Sequence, residues 1–143
     1  GVLLLFGGGL SLAAAAQSSG LAAWIGGSMP TGLNIFLLVI IFTTLIIFLT
    51  ELTSNLATTA TFLPIVAIIA TQFGFNPLLL TASIAIAASC AFMLPVATPP
   101  NAIVFGSELI KVPQMMRAGI AINLIAIIIV SLAGIYLVPY FLI

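Results

Sequence analysis

The side chains best suited to chemistry in this chain lie in one polar patch, residues 50–61, inside the apolar stretch 33–73. The patch contains five threonines, one serine, one asparagine and a single carboxylate, Glu51, and it has no glycine or proline. Hydroxyl and carbonyl oxygens are good ligands for a hard cation such as sodium, which needs neither a thiolate nor an imidazole. The patch therefore indicates a binding site for a small ion.

Two interpretations of this patch remain open. Residues 33–49 and 62–73 could be ordinary membrane spans joined by an aqueous loop, or the limbs of a re-entrant hairpin whose tip lies inside the membrane. Aqueous loops are usually rich in turn-forming residues, whereas this patch lacks glycine and proline. The second limb, taken as 57–73, is also short for a full crossing, which needs about 20 residues. Both features favour the re-entrant hairpin.

The tip of such a hairpin would bring together two helix ends of opposite polarity. The first limb ends near residues 50–53, where free carbonyls and the negative end of the helix dipole favour a cation. The second limb begins at Ser54 and Asn55, where free amides favour an anion. Non-helical backbone is tolerated at membrane depth only where it lines a cavity or is buried in protein. We therefore expect the tip to hold a sodium ion beside an anionic substrate.

A second break in the helical pattern is predicted at residues 95–101, where three prolines remove amide donors and disfavour helix at the preceding residues. A span over 78–96 is expected to open there and to free carbonyls near 94–98. Asn101 is expected to cap the short helix that follows. A simple proline kink is the alternative. Two opened polar segments in one chain are typical of transporters whose site lies near the membrane midplane.

The composition places these segments in a lipid bilayer. Of the 143 residues, 64% are hydrophobic and 3% are charged, whereas soluble domains have about 25% charged residues. Histidine is absent, so no catalytic triad can be assembled around Ser54 or Thr98. The net charge of zero does not indicate a nucleic-acid partner. The sequence therefore predicts an integral membrane protein that is not an enzyme and that needs no cofactor.

The elements that must position the two polar segments are all helices. We predict one transmembrane region over 1–143, divided into a helix and connector (1–32), the hairpin (33–73), a broken helix (78–110) and a final transmembrane helix (118–142). Residues 74–77 predict a turn. The chain enters an apolar run directly at Gly1, without an initiator methionine or a basic leader. We therefore interpret it as a fragment of a longer chain.

The orientation follows from the two basic residues, Lys111 and Arg117, which share one loop. The positive-inside rule places that loop in the cytoplasm. The final helix then runs outward, and the C-terminus and the turn at 74–77 lie outside.

Three stretches carry a resemblance to a known family, the divalent anion:sodium symporters. They are LLFGGGL at 4–10, TELTSN at 50–55 with ATT at 57–59, and SCAFMLPVATPPNAIV at 89–104. The resemblance implies an all-α polytopic membrane protein in which this chain is one half, the second or C-terminal repeat, of an inverted-repeat transporter. That repeat would have a re-entrant helical hairpin that enters from the outside, in agreement with the orientation, and a broken transmembrane helix. It also implies a homodimer, lipid as the surrounding medium, and the bacterial inner membrane as the location.

The same resemblance implies roles for individual residues. The second sodium site would draw, largely through backbone carbonyls, on Thr50, Thr53, Asn55 and Ala97. The substrate would contact Ser54, Asn55, Thr98 and Pro99. The first sodium site and the rest of the substrate pocket would lie on the other repeat.

The function implied is symport of sodium, the coupling ion, with a small divalent anion such as a C4-dicarboxylate, citrate or sulfate, by alternating access. A sodium-independent exchanger or channel of the same fold is the alternative, and sodium dependence distinguishes the two. One position departs from the family pattern. The hairpin motif is commonly Ser-Asn-Thr, and here Leu56 follows Ser54 and Asn55, so one hydroxyl that could bond a carboxylate is replaced.

Overall fold

A computed structural model describes residues 2–21, Trp24, Gly27 and 34–142. All regular elements within this part are helices, which confirms the predicted all-α fold. In chain order they are α1 (Val2–Ser18), α2 (Ile35–Thr50), α3 (Asn55–Gln72), α4 (Pro77–Ala87), α5 (Pro99–Gly106) and α6 (Val112–Leu142). Most of the predicted connector, 19–32, lies outside the described residues. Among the described helices, α3 and α6 are long and apolar enough to cross a membrane.

The helix starts follow from side chains that cap free backbone amides. Asn34 accepts a hydrogen bond from the Phe36 amide at 2.6 Å, and Asn76 accepts one from the Leu78 amide at 3.0 Å. The predicted turn before Pro77 is present, and Gly74 adopts a φ of 73° that side chains with a Cβ rarely allow. Short polar residues therefore set the ends of these apolar helices.

The core forms where α4 packs against α2, α3 and α6. α2 and α3, although consecutive in the chain, contact each other much less than either contacts α4. α1 packs on α3 at Gly9, where a Cβ would collide with the Ala60 carbonyl. The fully buried side chains at the centre include Leu38, Val39, Ile46, Ile47, Val66, Leu80 and Ile84.

Glycines also set the register between α4 and α6. Gly134 of α6 lies against Ser83 of α4, and Gly119 lies against the backbone of Phe92 and Met93, which follow α4 in the chain. Ser83 meets the later glycine of α6, and Phe92, which follows it in the chain, meets the earlier one. α4 and α6 therefore run antiparallel. The turn between α3 and α4 consequently lies towards the C-terminal end of α6.

Three predicted boundaries differ from the observed ones. The helix expected over 78–96 ends at Ala87, and residues 88–98, the opened segment, have no regular structure. α3 begins at Asn55, capped by Ser54, as predicted for the tip, but this is earlier than residue 57, from which the length of the limb was judged. Its 18 residues therefore no longer favour a re-entrant limb by shortness alone. α6 begins at Val112 rather than 118, because the Gln114 side chain accepts from the Lys111 amide at 2.9 Å.

Candidate functional site

The hairpin tip, residues 51–54, is held by bonds from its own neighbourhood. The Leu49 carbonyl accepts from the amides of Leu52 at 3.1 Å and Thr53 at 3.2 Å, and from the Thr53 hydroxyl at 2.9 Å. The hydroxyls of Thr53 and Thr58 lie 2.6 Å apart and share a hydrogen bond. The Ser54 hydroxyl accepts from the Ala57 amide at 3.5 Å. Local hydroxyl contacts therefore shape the turn from α2 into α3.

The opened segment is held instead by Glu51, whose side chain is 3% exposed. Its carboxylate accepts hydrogen bonds from three consecutive amides, those of Phe92 at 2.8 Å, Met93 at 2.9 Å and Leu94 at 3.1 Å. The side-chain amide of Asn123 in α6 donates to the same carboxylate at 2.8 Å. One side chain thus connects the hairpin tip, the opened segment and α6.

Asn101 has a different role from the predicted one. Thr98 caps α5, accepting from the Asn101 amide at 3.4 Å, and Asn101 itself lies inside the helix. The Asn101 side-chain amide donates to the carbonyls of Ala91 at 2.9 Å and Leu94 at 3.0 Å. The opened segment is therefore bonded to Glu51 through its amides and to Asn101 through its carbonyls.

Thr50 joins the hairpin tip to the end of α4. Its side chain is fully buried, and its hydroxyl lies 2.7 Å from Asn55 Oδ1 and 2.9 Å from the Ala88 carbonyl. The single hydroxyl proton is shared between these two acceptors. The Thr50 hydroxyl therefore holds the start of α3 next to Ala88, the first residue of the opened segment.

A cleft of about 500 Å³ lies between the hairpin tip and the end of the opened segment. The predicted residues that line it are Thr53, Ser54 and Asn55 on one side and Ala97 and Pro99 on the other. Its remaining lining is apolar and comes from Leu52, Leu56 and Val96. Of the other predicted residues, Thr50 is buried beside Asn55, and the hydroxyl of Thr98 is used as the α5 cap.

Comparison with known proteins identifies the family. The family model described as the sodium:sulfate symporter transmembrane region matches residues 1–143. The chain belongs to this family. It is similar to the sodium-dependent dicarboxylate transporter SdcS of Staphylococcus saprophyticus, with 46% identity over 141 residues, and to those of Staphylococcus aureus strains MRSA252 and USA300, with 50% identity over 141 residues. The matches cover 97% of this chain and 27% of each relative, so the chain spans only part of these relatives.

Membership of the sodium:sulfate symporter family confirms the predicted resemblance and places the apolar helices in an integral membrane protein. The family description and the names of the relatives refer to transporters, which agrees with the prediction of a transporter rather than an enzyme.

The starts of α3 and α5 line the cleft, and the ends of α2 and α4 adjoin it, because Thr50 bonds both to Asn55 and to Ala88. α2 ends at Thr50 and α4 at Ala87, whereas α3 begins at Asn55 and α5 at Pro99. Helix C-termini carry partial negative charge and N-termini partial positive charge. Prolines at 99 and 100 remove two amides from the start of α5, so α3 is the better anion-binding terminus.

The residues that sequence reasoning missed are Glu51 and Asn123 as a bonded pair. The sequence shows Glu51 only as the single carboxylate of the polar patch, and it gives Asn123 no role in the site. The burial of Glu51 excludes a water-facing position. The two residues lie 72 positions apart, so no local pattern signals their contact. The signals that exist are separate: Glu51 is the single carboxylate of the polar patch, and Asn123 is an isolated polar side chain in an apolar stretch.

Proposed function

We propose that the complete protein is a sodium-coupled symporter of a divalent anion, and that the cleft between the hairpin tip and residues 97–99 is this chain's share of its binding site. The observation that carries the proposal is that the starts of α3 and α5 line one cleft, while the oppositely polarised ends of α2 and α4 adjoin it through the bonds of Thr50 to Asn55 and Ala88. Family membership and the names of the relatives, which specify sodium dependence and dicarboxylates, support it. The site would face the two sides of the bacterial plasma membrane in turn.

Sodium would bind on the α2 side of the cleft, through Thr50, Thr53, Asn55 and Ala97. The turn after α2 directs its amides and the Thr53 hydroxyl to the Leu49 carbonyl. None of these bonds ends on the carbonyl of Thr50, which can therefore serve as a ligand. Carbonyl and hydroxyl oxygens at the negative end of a helix suit a hard cation.

The anion would bind beside it, at Ser54 and Asn55 at the start of α3 and at Thr98 and Pro99 at the start of α5. Leu52, Leu56 and Val96 add an apolar wall to the same cleft. Such a wall suits the carbon chain of a dicarboxylate better than a fully polar sulfate, because an apolar surface cannot replace the hydrogen bonds of water. A C4-dicarboxylate is therefore the proposed substrate, and sulfate is expected to bind more weakly.

The re-entrant hairpin is part of this proposal, and the register against α6 supports it. The apolar part of α6, 118–138, is about 30 Å long, which matches the hydrocarbon core of a bilayer. Asn123, bonded to Glu51 of the tip, lies about 7 Å inside the 118 end of that span. α3 runs from the tip towards the other end of α6. The tip would then lie within the membrane, entered from the outside, with Lys111 and Arg117 in the cytoplasm.

Uptake by the full-length protein in vesicles tests the function. We expect succinate uptake driven by an inward sodium gradient, with little uptake when potassium replaces sodium and weak competition by sulfate. Sodium-independent uptake would favour an exchanger or channel and would contradict the proposal. The full-length protein is proposed to act as a homodimer, as the family resemblance implies.

Labelling of single cysteines tests the hairpin separately. Cysteines introduced at Leu52, Ser54 and Leu56 should react slowly with a bulky membrane-impermeant maleimide, and sodium with succinate should slow the reaction further. A cysteine at Gln72, beside the α3–α4 turn, is the control and should react readily from the outside. Equal and rapid labelling at the tip and at residue 72, unaffected by the substrates, would contradict a buried tip.

A further inference from the structure

The carboxylate of Glu51 is buried beside the cleft without lining it, yet it gathers four donors from two distant parts of the chain. They are the amides of Phe92, Met93 and Leu94 and the side-chain amide of Asn123. Every one of these partners donates, so both carboxylate oxygens act as acceptors, as in an ionised carboxylate. Hydrogen bonds to a charged group are about twice as strong as those between neutral groups.

Three consecutive backbone amides that point to one place form an anion-binding nest. In the opened segment this nest is filled by Glu51, a side chain of the same molecule. Unpaired amides in a water-poor environment would each carry the full penalty of losing their hydrogen bonds to water. The opened segment can therefore hold its irregular backbone next to the hairpin tip because Glu51 fills the nest.

The bonds of Glu51 also join the two parts of the proposed sodium site. Thr50 and Asn55 lie on the hairpin side, next to Glu51 in the chain, whereas Ala97 follows Leu94, the last amide that Glu51 accepts. Asn101 holds the carbonyl of Leu94 from the α5 side. The position of Ala97 relative to Thr50 thus depends on the bonds that Glu51 makes.

We infer that Glu51 is a positioning residue for sodium: its charged, multidentate contact with residues 92–94 holds Ala97 in place opposite Thr50 and Asn55. This inference rests on the proposed function and adds a residue to it. Glu51 does not touch the ion or the substrate. Its effect on sodium affinity requires both the negative charge and the reach of the glutamate side chain.

Two substitutions separate charge from reach. Glu51→Gln keeps the length but removes the charge and turns an NH₂ group towards backbone donors. Glu51→Asp keeps the charge but withdraws the carboxylate by about 1.5 Å, one carbon–carbon bond. Glu108→Gln is the matched control, because Glu108 is the other acidic residue of this chain and is exposed in the turn before α6.

Sodium-dependent succinate uptake by the full-length protein in vesicles is the measurement. Glu51→Gln should raise the sodium concentration for half-maximal uptake about tenfold or more, the effect of losing one charge-assisted hydrogen bond. Glu51→Asp should raise it about threefold or more, because fewer of the amides remain within reach. At saturating sodium, half-maximal succinate should change by less than about threefold, since no substrate contact is lost. Glu108→Gln should match the wild type.

The possible results separate the inference from the function. Wild-type sodium dependence in both Glu51 variants would overturn the inference and leave the function standing. If Glu51→Asp had wild-type sodium dependence and Glu51→Gln did not, the negative charge alone, and not the reach of the side chain, would explain the effect. If sodium and succinate affinity fell in parallel, the cause would be a general structural defect. Both overturn the inference. Sodium-independent uptake by the wild type would overturn the function and the inference together.

A milder variant serves if the Glu51 variants fail to insert. Asn123→Ala removes one donor and leaves the bonds from the three backbone amides to Glu51 in place. Half-maximal sodium should then rise about threefold, with succinate affinity at saturating sodium unchanged. An unchanged sodium requirement in Asn123→Ala would also contradict the inference.

Discussion

The hairpin tip and the opened segment both interrupt the helices at the cleft, but they satisfy their backbone in different ways. At the tip, Thr53 and Ser54 bond to groups no more than five residues away. In the opened segment, three amides bond to Glu51, which lies 41 to 43 positions earlier in the chain. A short turn can satisfy itself with its own hydroxyls, whereas a longer irregular segment needs side chains from other helices.

This difference predicts that disturbing the packing of the opened segment has the largest effect. In Gly119→Val, the new side chain would collide with the backbone of Phe92 and Met93, which cannot move without breaking their bonds to Glu51. We expect a loss of about 3 kcal/mol in stability and loss of uptake. Thermal unfolding in detergent and vesicle uptake provide the measurements.

The matched control for that substitution is Gly8→Val in α1, where a Cβ meets open space. It should unfold at nearly the wild-type temperature. If the two valine variants were equally stable, the close contact between α6 and the opened segment would not matter for stability.

Thr50→Val tests the link between the two regions and should have the second largest effect. Valine keeps the shape but leaves Asn55 Oδ1 and the buried Ala88 carbonyl without their donor. We expect a loss of about 1–3 kcal/mol in stability and a higher sodium requirement in uptake. Thr81→Val is the control, because the Thr81 hydroxyl bonds only within its own helix, to the Pro77 carbonyl. Equal destabilisation by both would contradict a special role of the link.

The contact between Thr53 and Thr58 tests the tip alone, and its effect should be smaller. A double-mutant cycle with Thr53→Val and Thr58→Val should give a coupling energy of about 1 kcal/mol. The same cycle between Thr58→Val and Asn101→Ala should give no coupling, since Thr58 bonds to the tip and Asn101 bonds to the opened segment. A strong coupling in the second cycle would mean that the tip and the opened segment do not hold their backbones independently.

Replacing the two helix caps should have the smallest effect on stability and the sharpest effect on selectivity. Ser54 and Thr98 cap α3 and α5 with long bonds of 3.5 and 3.4 Å. Each change to alanine should cost about 0.5 kcal/mol in stability. Ser54→Ala should raise half-maximal succinate more than Thr98→Ala, because Ser54 lines the cleft and α5 has lost two amides to proline. Half-maximal succinate is measured by uptake. If Thr98→Ala raised it more than Ser54→Ala, the anion would bind nearer to the start of α5 than proposed.

Sequence reasoning predicted most of the fold and named residues that line both sides of the cleft. The position of the hairpin tip, the turn at Gly74 and the break before Pro99 follow from short polar residues, glycine and proline, which act on the backbone nearest to them. The start of the opened segment at Ala88 could not be predicted in this way. Residues 88–94 are mostly apolar and have no local residue that stops a helix, so the pattern favoured continuation to 96.

By itself, the sequence determined a helical membrane protein with two breaks, because hydropathy, proline and capping residues act within a few positions along the chain. Only the tertiary structure decided that the two breaks meet at one cleft, that Glu51 is buried, and that Asn101 bonds to carbonyls instead of capping its helix. The physical reason is that amides and carbonyls released by an opened helix bond to whichever polar side chain packing brings within reach. Packing between α4, α2 and α6 acts over distances in the chain that no local pattern records.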